Sequence, residues 1–299
     1  MSTRTAVQRL PRPEGSIAYT VDGEGPLVVA VPGMGDVRST YRELVPPLVA
    51  AGYRVAVMDL RGHGDSETTF RTHGDVATGT DVLALIGHLG GPAVVVGSSM
   101  GAGAAAWAAA EDPGAVAGLV LLGAFLRDGS GGRVTSALLH LTLGAMLRRP
   151  WGPAVWGSYY SMITKGRRAT WHREHVAEVR DALRRPGNLR SFRELATSLT
   201  HAPVEARLGE VRVPSVVVVG AKDPDFPDPA AEVAWIGATI GAREVLVPDV
   251  GHYPQHQAPE IVAAEALGLL AAALPVRPAD DADQVSDEQA AGQTLGPRA

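Results

Sequence analysis

The chain contains no cysteine, which excludes disulfides, thiol catalysis and thiolate metal sites. Nor does it hold a run approaching the ~20 uninterrupted apolar residues that a membrane span requires. The nearest candidate, Ile261 to Leu274, is short and carries Glu265. The segment from Met1 to Pro13 has scattered arginines but lacks the apolar core of a secretory signal. A basic excess is also missing: 27 Lys and Arg stand against 32 Asp and Glu, a net charge of -5. A nucleic-acid partner is therefore not expected, because a phosphate-binding surface usually shows as surplus positive charge. Aromatic residues make up only 5% of the chain. Together these absences predict a cytoplasmic protein with no membrane span.

What is present is an ordinary globular composition, 45% hydrophobic and 20% charged over 299 residues. That length suits one large domain, or one domain with an insertion. Thr5–Leu10 and Ser16–Val21 alternate in part and flank Pro11, Pro13 and Gly15, a pattern expected of an antiparallel hairpin. Six apolar runs follow: Leu27–Val31, Val55–Met58, Val94–Val96, Leu119–Leu122, Val216–Val219 and Val245–Val247. Their hydrophobicity is continuous rather than alternating, as in strands covered on both faces. Between them lie helical patterns at Val45–Ala51, Asp81–Leu89, Met100–Ala110, Ala231–Ile240 and Pro259–Leu274. Pro46 and Pro47 belong in the first turn of the earliest of these, where a missing N–H costs nothing. The rhythm predicts a doubly wound, mostly parallel α/β sheet with helices on both sides.

The rhythm lapses between two strand signals of that sheet. Residues 125–208 show no strand-like run, are helical in pattern and are broken at Pro150, Pro153, Pro186 and Pro203. They are expected to form a helical cap inserted between core segments 1–124 and 209–275. The cap holds Trp151, Trp156, Tyr159, Tyr160 and Trp171, a large share of the aromatics. Most of these rings should build the cap's own core, and a minority should make a cleft apolar; Trp151, Trp156, Tyr159 and Tyr160 are the candidates for contacting substrate. Gly129-Ser130-Gly131-Gly132 suggests a hinge at the cap's entry. Residues 276–299, acidic at Asp280, Asp281 and Asp283 and free of aromatics, are expected to stay unfolded.

The chemistry concentrates at Gly97-Ser98-Ser99-Met100-Gly101, a G-x-S-x-G pattern between a β-branched run and an alanine-rich helix. At such a strand-to-helix elbow the central serine is held out at the sheet's C-terminal edge. The glycines let strand and helix approach, and the helix N-terminus favours developing negative charge. Ser99 is thus the candidate nucleophile. A serine hydroxyl needs a base, and the base works best when a carboxylate orients it. Of nine histidines, His252 lies in the loop after the last strand run, leading into the last helix. His256 is the second choice; His63 lies in a tight turn, His88 near a helix end, and His172 and His175 on a cap helix. The carboxylate should come from the loop Gly220–Asp228. There Asp223 is nearest the strand end, Asp225 is its rival, and Asp228 suits a helix cap. A calcium loop lacks its remaining ligands, so neither metal nor cofactor is expected. Backbone N–H groups of Met34, in Pro32-Gly33-Met34-Gly35, and of Met100 can form an oxyanion hole.

These motifs, with Asp59-Leu60-Arg61-Gly62-His63-Gly64-Asp65-Ser66, Gly220-x-x-Asp223 and Gly251-His252, follow one another in an order that resembles the α/β-hydrolase fold family from about Gly15 to Leu274. Within the family the chain is similar to the capped branch of serine esterases, lactonases and meta-cleavage-product hydrolases. The resemblance implies Ser99 as nucleophile, Asp223 as acid, His252 as base, and Met34 and Met100 as oxyanion donors. Pro32 departs from it, since many members have histidine there; the contribution at that point comes from backbone. Serine at the elbow argues against the dehalogenases and epoxide hydrolases of the family, which use a carboxylate nucleophile. The expected activity is cleavage of an ester or related acyl bond in a small-to-medium hydrophobic substrate. Carbon–carbon hydrolysis, lactone opening, thioester cleavage and acyl transfer share the triad, and a small-molecule receptor with little turnover is the expectation of another class.

Overall fold

The structure, a computed structural model, describes residues 5–129 and 141–276. Its strands are β1 (Gln8–Arg12), β2 (Gly15–Asp22), β3 (Leu27–Val31), β4 (Arg54–Met58), β5 (Ala93–Ser98), β6 (Val116–Leu122), β7 (Ser215–Gly220) and β8 (Arg243–Val247). They form one eight-stranded sheet in the order β1-β2-β4-β3-β5-β6-β7-β8. β1 and β2 are the expected hairpin, paired antiparallel with Leu10 opposite Ile17. Strand β1 lies further along the chain than alternation suggested, because the turn is made at Pro13 and Glu14 and pairing spreads outward from it. β2 runs antiparallel to β4, and every later pairing is parallel.

The described helices are α1 (Val45–Ala50), α2 (Asp75–Leu89), α3 (Met100–Glu111), α4 (Gly152–Ile163), α5 (His172–Arg184), α6 (Asn188–Ser198), α7 (Ala202–Glu205), α8 (Pro229–Ile240), α9 (Pro254–Gln257) and α10 (Pro259–Ala273). Successive strand residues feed two separate cores. Val29, Val31, Val95, Val217 and Val219 enter one with α2, α3 and α8. Val28, Ala30, Val94, Val96, Val216 and Val218 enter the other with α1 and α10. Both faces are covered, which is why the apolar runs are unbroken. α3 is buried from Met100 to Ala110, so small alanines are what its crowded seat between β5 and the neighbouring helices admits.

α2 starts at Asp75 rather than at Asp81. Its first turns contain Thr78, Gly79 and Thr80, poor helix formers without apolar periodicity. Packing overrides that weakness: a Cβ at Gly79 would lie 2.5 Å from the Trp107 ring of α3. Between β6 and β7 the regular elements of the described part are helical, a short stretch at 141–146 and then α4 to α7, apart from one isolated bridge of Gly166 to Val250. Trp156, Val179, Leu183, Leu189 and Phe192 give this insertion a cluster of its own, against which Met34 and Val37 of the sheet's edge loop also pack. Of the expected hinge only Gly129 falls within the described residues, and of the expected unfolded tail only Val276 does. No helix among the described residues is long and apolar enough to cross a membrane.

Candidate active site

β5 delivers the chain into α3 through Ser99, whose φ of 55° and ψ of -124° lie where a side chain is strained. The flanking glycines are required by contact. A Cβ on Gly97 would sit 2.4 Å from the Gly101 carbonyl oxygen, and one on Gly101 would sit 2.6 Å from those of Val31 and Pro32. The Ser99 N–H donates to the Leu122 carbonyl at 2.8 Å, which locks the elbow to β6. Its side chain opens on a cavity of about 460 Å³ that Met34, Met100 and His252 also line.

His252 leaves β8 through Gly251, and its N–H donates to the Ile163 carbonyl at the end of α4 at 3.0 Å. Its Nδ1 lies 2.8 Å from Asp223 Oδ2. The other Asp223 oxygen accepts the Asp225 N–H at 3.0 Å. Asp225 Oδ2 is further from that imidazole, at 3.6 Å, and its Oδ1 accepts the Tyr159 hydroxyl at 2.7 Å. Asp223 therefore holds the ring and Asp225 reaches toward the helical insertion. The tight partner of Nδ1 leaves Nε2 for the cavity. Burial disfavours the imidazolium, but the adjacent Asp223 charge outweighs it and His252 is raised to about 9. No hydrogen bond joins Ser99 Oγ to His252 in this structure; such bonds tighten when substrate is engaged. Ligand atoms of Asp223, Asp225 and His252 fall within 4.8 Å of one another, a closeness that these hydrogen bonds already account for. Asp228 caps α8, accepting the Ala231 N–H at 3.0 Å.

The loop after β3 is fastened from several sides. His63 Nδ1 is 2.9 Å from the Arg61 carbonyl oxygen and so carries the proton there. Its Nε2 accepts the Gly35 N–H at 3.1 Å, and burial holds its pKa down to about 4. The Gly35 carbonyl accepts the Trp156 Nε1–H at 2.8 Å. Asp36, fully buried, takes His175 Nε2 at 2.8 Å and the Tyr160 hydroxyl at 3.1 Å. His175 is buried, yet the Asp36 charge raises it to about 9. Among the described residues the Met34 and Met100 N–H groups have no protein acceptor. Met100 opens α3, where that is the rule.

Of the four aromatic candidates for substrate contact, Trp156 and Tyr159 line the cavity and Trp151 and Tyr160 do not. Trp151 is 52% exposed at the start of α4 and donates to the Ala145 carbonyl. Tyr160 is fully buried, stacked on Tyr253 at 4.2 Å with its hydroxyl on Asp36. His256 pairs with His172 at 3.2 Å and does not line the cavity on which Ser99 opens. Phe125 and His201, neither of them among the sequence candidates, also line the cavity. Phe125 had a signal, since it follows β6 at the same sheet edge as the other loops; His201 had none.

The residues from 28 to 265 match the model of the Alpha/beta hydrolase family. This chain is a member of the alpha/beta hydrolase family. The 30 kDa magnesium-chelatase subunit of Rhodobacter capsulatus is 36% identical over 96 residues, which are 31% of this chain and only 34% of that protein. A probable esterase of Oryza sativa subsp. japonica is 28% identical over 81% of this alpha/beta hydrolase and 90% of its own length. Among solved structures, a thermophilic esterase from Thermogutta terrifontis superimposes with a TM-score of 0.70 at 25% identity, covering 88% of this chain and 98% of that one. A hydrolase fold and relatives named as esterases thus stand beside the geometry.

Proposed function

We propose that this alpha/beta hydrolase is a serine hydrolase that cleaves an ester or related acyl bond through an acyl-enzyme on Ser99. The observation that carries the reading is the buried His252–Asp223 pair at 2.8 Å, opening on the cavity that holds the strained elbow serine. His252 Nε2 takes the Ser99 proton as Oγ attacks the acyl carbon, and Asp223 stabilises the imidazolium that forms. The Met34 and Met100 N–H groups receive the oxyanion of the tetrahedral intermediate. The imidazolium then returns its proton to the leaving group; water repeats the sequence to release the acid. The helical insertion acts as the cap: Trp156 and Tyr159 give the cavity an apolar wall suited to a small-to-medium hydrophobic substrate.

A panel of p-nitrophenyl esters of graded chain length, beside lactone and thioester substrates, tests this reading and separates the bond types. Turnover of at least one acyl substrate is expected, falling by roughly 10⁴- to 10⁶-fold in Ser99→Ala. A folded Ser99→Ala protein that keeps wild-type turnover would show that the nucleophile lies elsewhere.

A further inference from the structure

A second imidazole–carboxylate pair reaches the same cavity from outside the triad loops. His201, just before α7, lines the cavity, and its Nδ1 lies 2.7 Å from Oδ2 of Asp75, the first residue of α2. Asp75 is 2% exposed, and its Oδ1 has no hydrogen-bond partner among the described residues. Burial raises its pKa against the opposing pull of His201. A fold gains little from a desolvated carboxylate with one partner and one unsatisfied oxygen. What such a carboxylate does well is fix the tautomer and direction of an imidazole. The packing makes room for it: a Cβ on Gly103 of α3 would lie 2.8 Å from the Phe125 carbonyl oxygen and 3.1 Å from Asp75 Oδ1.

The ring so held is placed for contact with a ligand. It stacks on Phe125 at 5.7 Å with 9° between planes, and the same Phe125 ring lies 5.7 Å from His252, tilted by 47°. Both imidazoles thus contact one phenyl ring. The polar neighbours at that end of the cavity are engaged with one another. Asp128 accepts the Thr200 hydroxyl at 2.5 Å and the His201 N–H at 2.6 Å. Arg127 bonds Glu232 at 2.6 Å and lies over the Trp235 ring. His201 Nε2 has no protein partner among the described residues.

We infer that His201, positioned by Asp75, is a recognition point for an oxygen function on the part of the substrate remote from the scissile bond. The substrate class is then an acyl compound with an apolar middle, lying along Phe125, and a distal hydroxyl, carbonyl or carboxylate at His201 Nε2. A neutral ring with its proton on Nδ1 accepts from a hydroxyl; a protonated ring donates to a carbonyl or carboxylate. The inference rests on the serine-hydrolase reading and adds to it where the substrate's second polar group goes.

The test is a matched set of p-nitrophenyl esters of one chain length: the plain alkanoate and its ω-hydroxy, ω-oxo and ω-carboxy counterparts. The wild type should favour at least one oxygenated ester over the plain one by about 10-fold or more in kcat/KM, mostly through KM. That ratio should fall to about one in His201→Phe, partly survive in His201→Gln, whose amide still hydrogen-bonds, and drop several-fold in Asp75→Asn. Equal kcat/KM for all four esters in the wild type overturns the inference alone. So does a preference that persists in His201→Phe, or a uniform fall for every ester with the ratio unchanged, which is what a purely structural role would give. A wild type that cleaves none of them overturns this inference, and it overturns the serine-hydrolase reading as well when the lactone and thioester substrates are also left intact.

Discussion

Two carboxylates compete for one imidazole, and the distances separate their duties. Asp223 lies 2.8 Å from His252 Nδ1, while Asp225 stands at 3.6 Å and accepts the Tyr159 hydroxyl. Asp223→Asn should therefore lower kcat by about 10⁴-fold, as loss of the orienting acid does in such triads. Asp225→Asn should change it far less; steady-state kinetics on one ester decide between them, and the reverse ranking would move the acid to Asp225. The same pair sets the pH dependence. His252 must be neutral to take the serine proton, and Asp223 raises it to about 9. kcat/KM should accordingly climb from neutral toward alkaline pH, and in Asp223→Asn the residual activity should climb at lower pH. A wild-type limb at or below the ordinary imidazole value of 6.5 would contradict this.

At the scale of elements, the loop between β3 and α1 is the part most dependent on its surroundings. The β6–β7 insertion holds it by the Trp156 Nε1–H on the Gly35 carbonyl, and the sheet side holds it by His63 on the Gly35 N–H. Trp156→Phe keeps most of the apolar ring and removes that bond. If the loop presents the Met34 N–H to the oxyanion, kcat should fall by about 10-fold with a smaller change in KM. A pure KM effect would mean that Trp156 only contacts substrate. Much at this scale was readable beforehand. Both strand runs and site loops are local patterns: Val216–Val219 is buried on both faces, and Ser99, Asp223 and His252 each follow a strand's C-terminal end. The start of α2 was not readable, because what makes Gly79 acceptable in a helix is the Trp107 ring of another helix. Trp151 and Tyr160 were misplaced for a related reason. A residue's type says that a ring is present, and only the docking of α4 says which way it faces.

Over the whole molecule, the insertion is tied to the sheet by a buried ion pair that spans distant sequence. His175 of α5 meets Asp36 at 2.8 Å across 139 residues of chain, a contact with no local signature. Burial opposes both charges, yet their mutual attraction lowers Asp36 and raises His175 to about 9. The contribution of His175 to stability is complete below its ordinary value of 6.5 and is lost as pH rises through about 9. That of Asp36 is present above its ordinary 3.8 and is lost as pH falls through its lowered value. Removing one partner strands the other charge, so His175→Ala should cost about 3 kcal/mol near pH 6 and less near pH 10. Urea denaturation of both proteins at the two pH values measures the difference; an equal cost at both would mean that the pair is not charged in the folded state.

The central claim is an activated serine at position 99, and covalent labelling reads it most directly. The folded protein is treated with a fluorophosphonate and its intact mass and labelled peptide are determined. One adduct per chain on Ser99, absent in Ser99→Ala and much slower to form in a His252→Ala variant, is the predicted result. Folded wild-type protein that takes no label, or a Ser99→Ala protein labelled as fast as the wild type, would contradict the account.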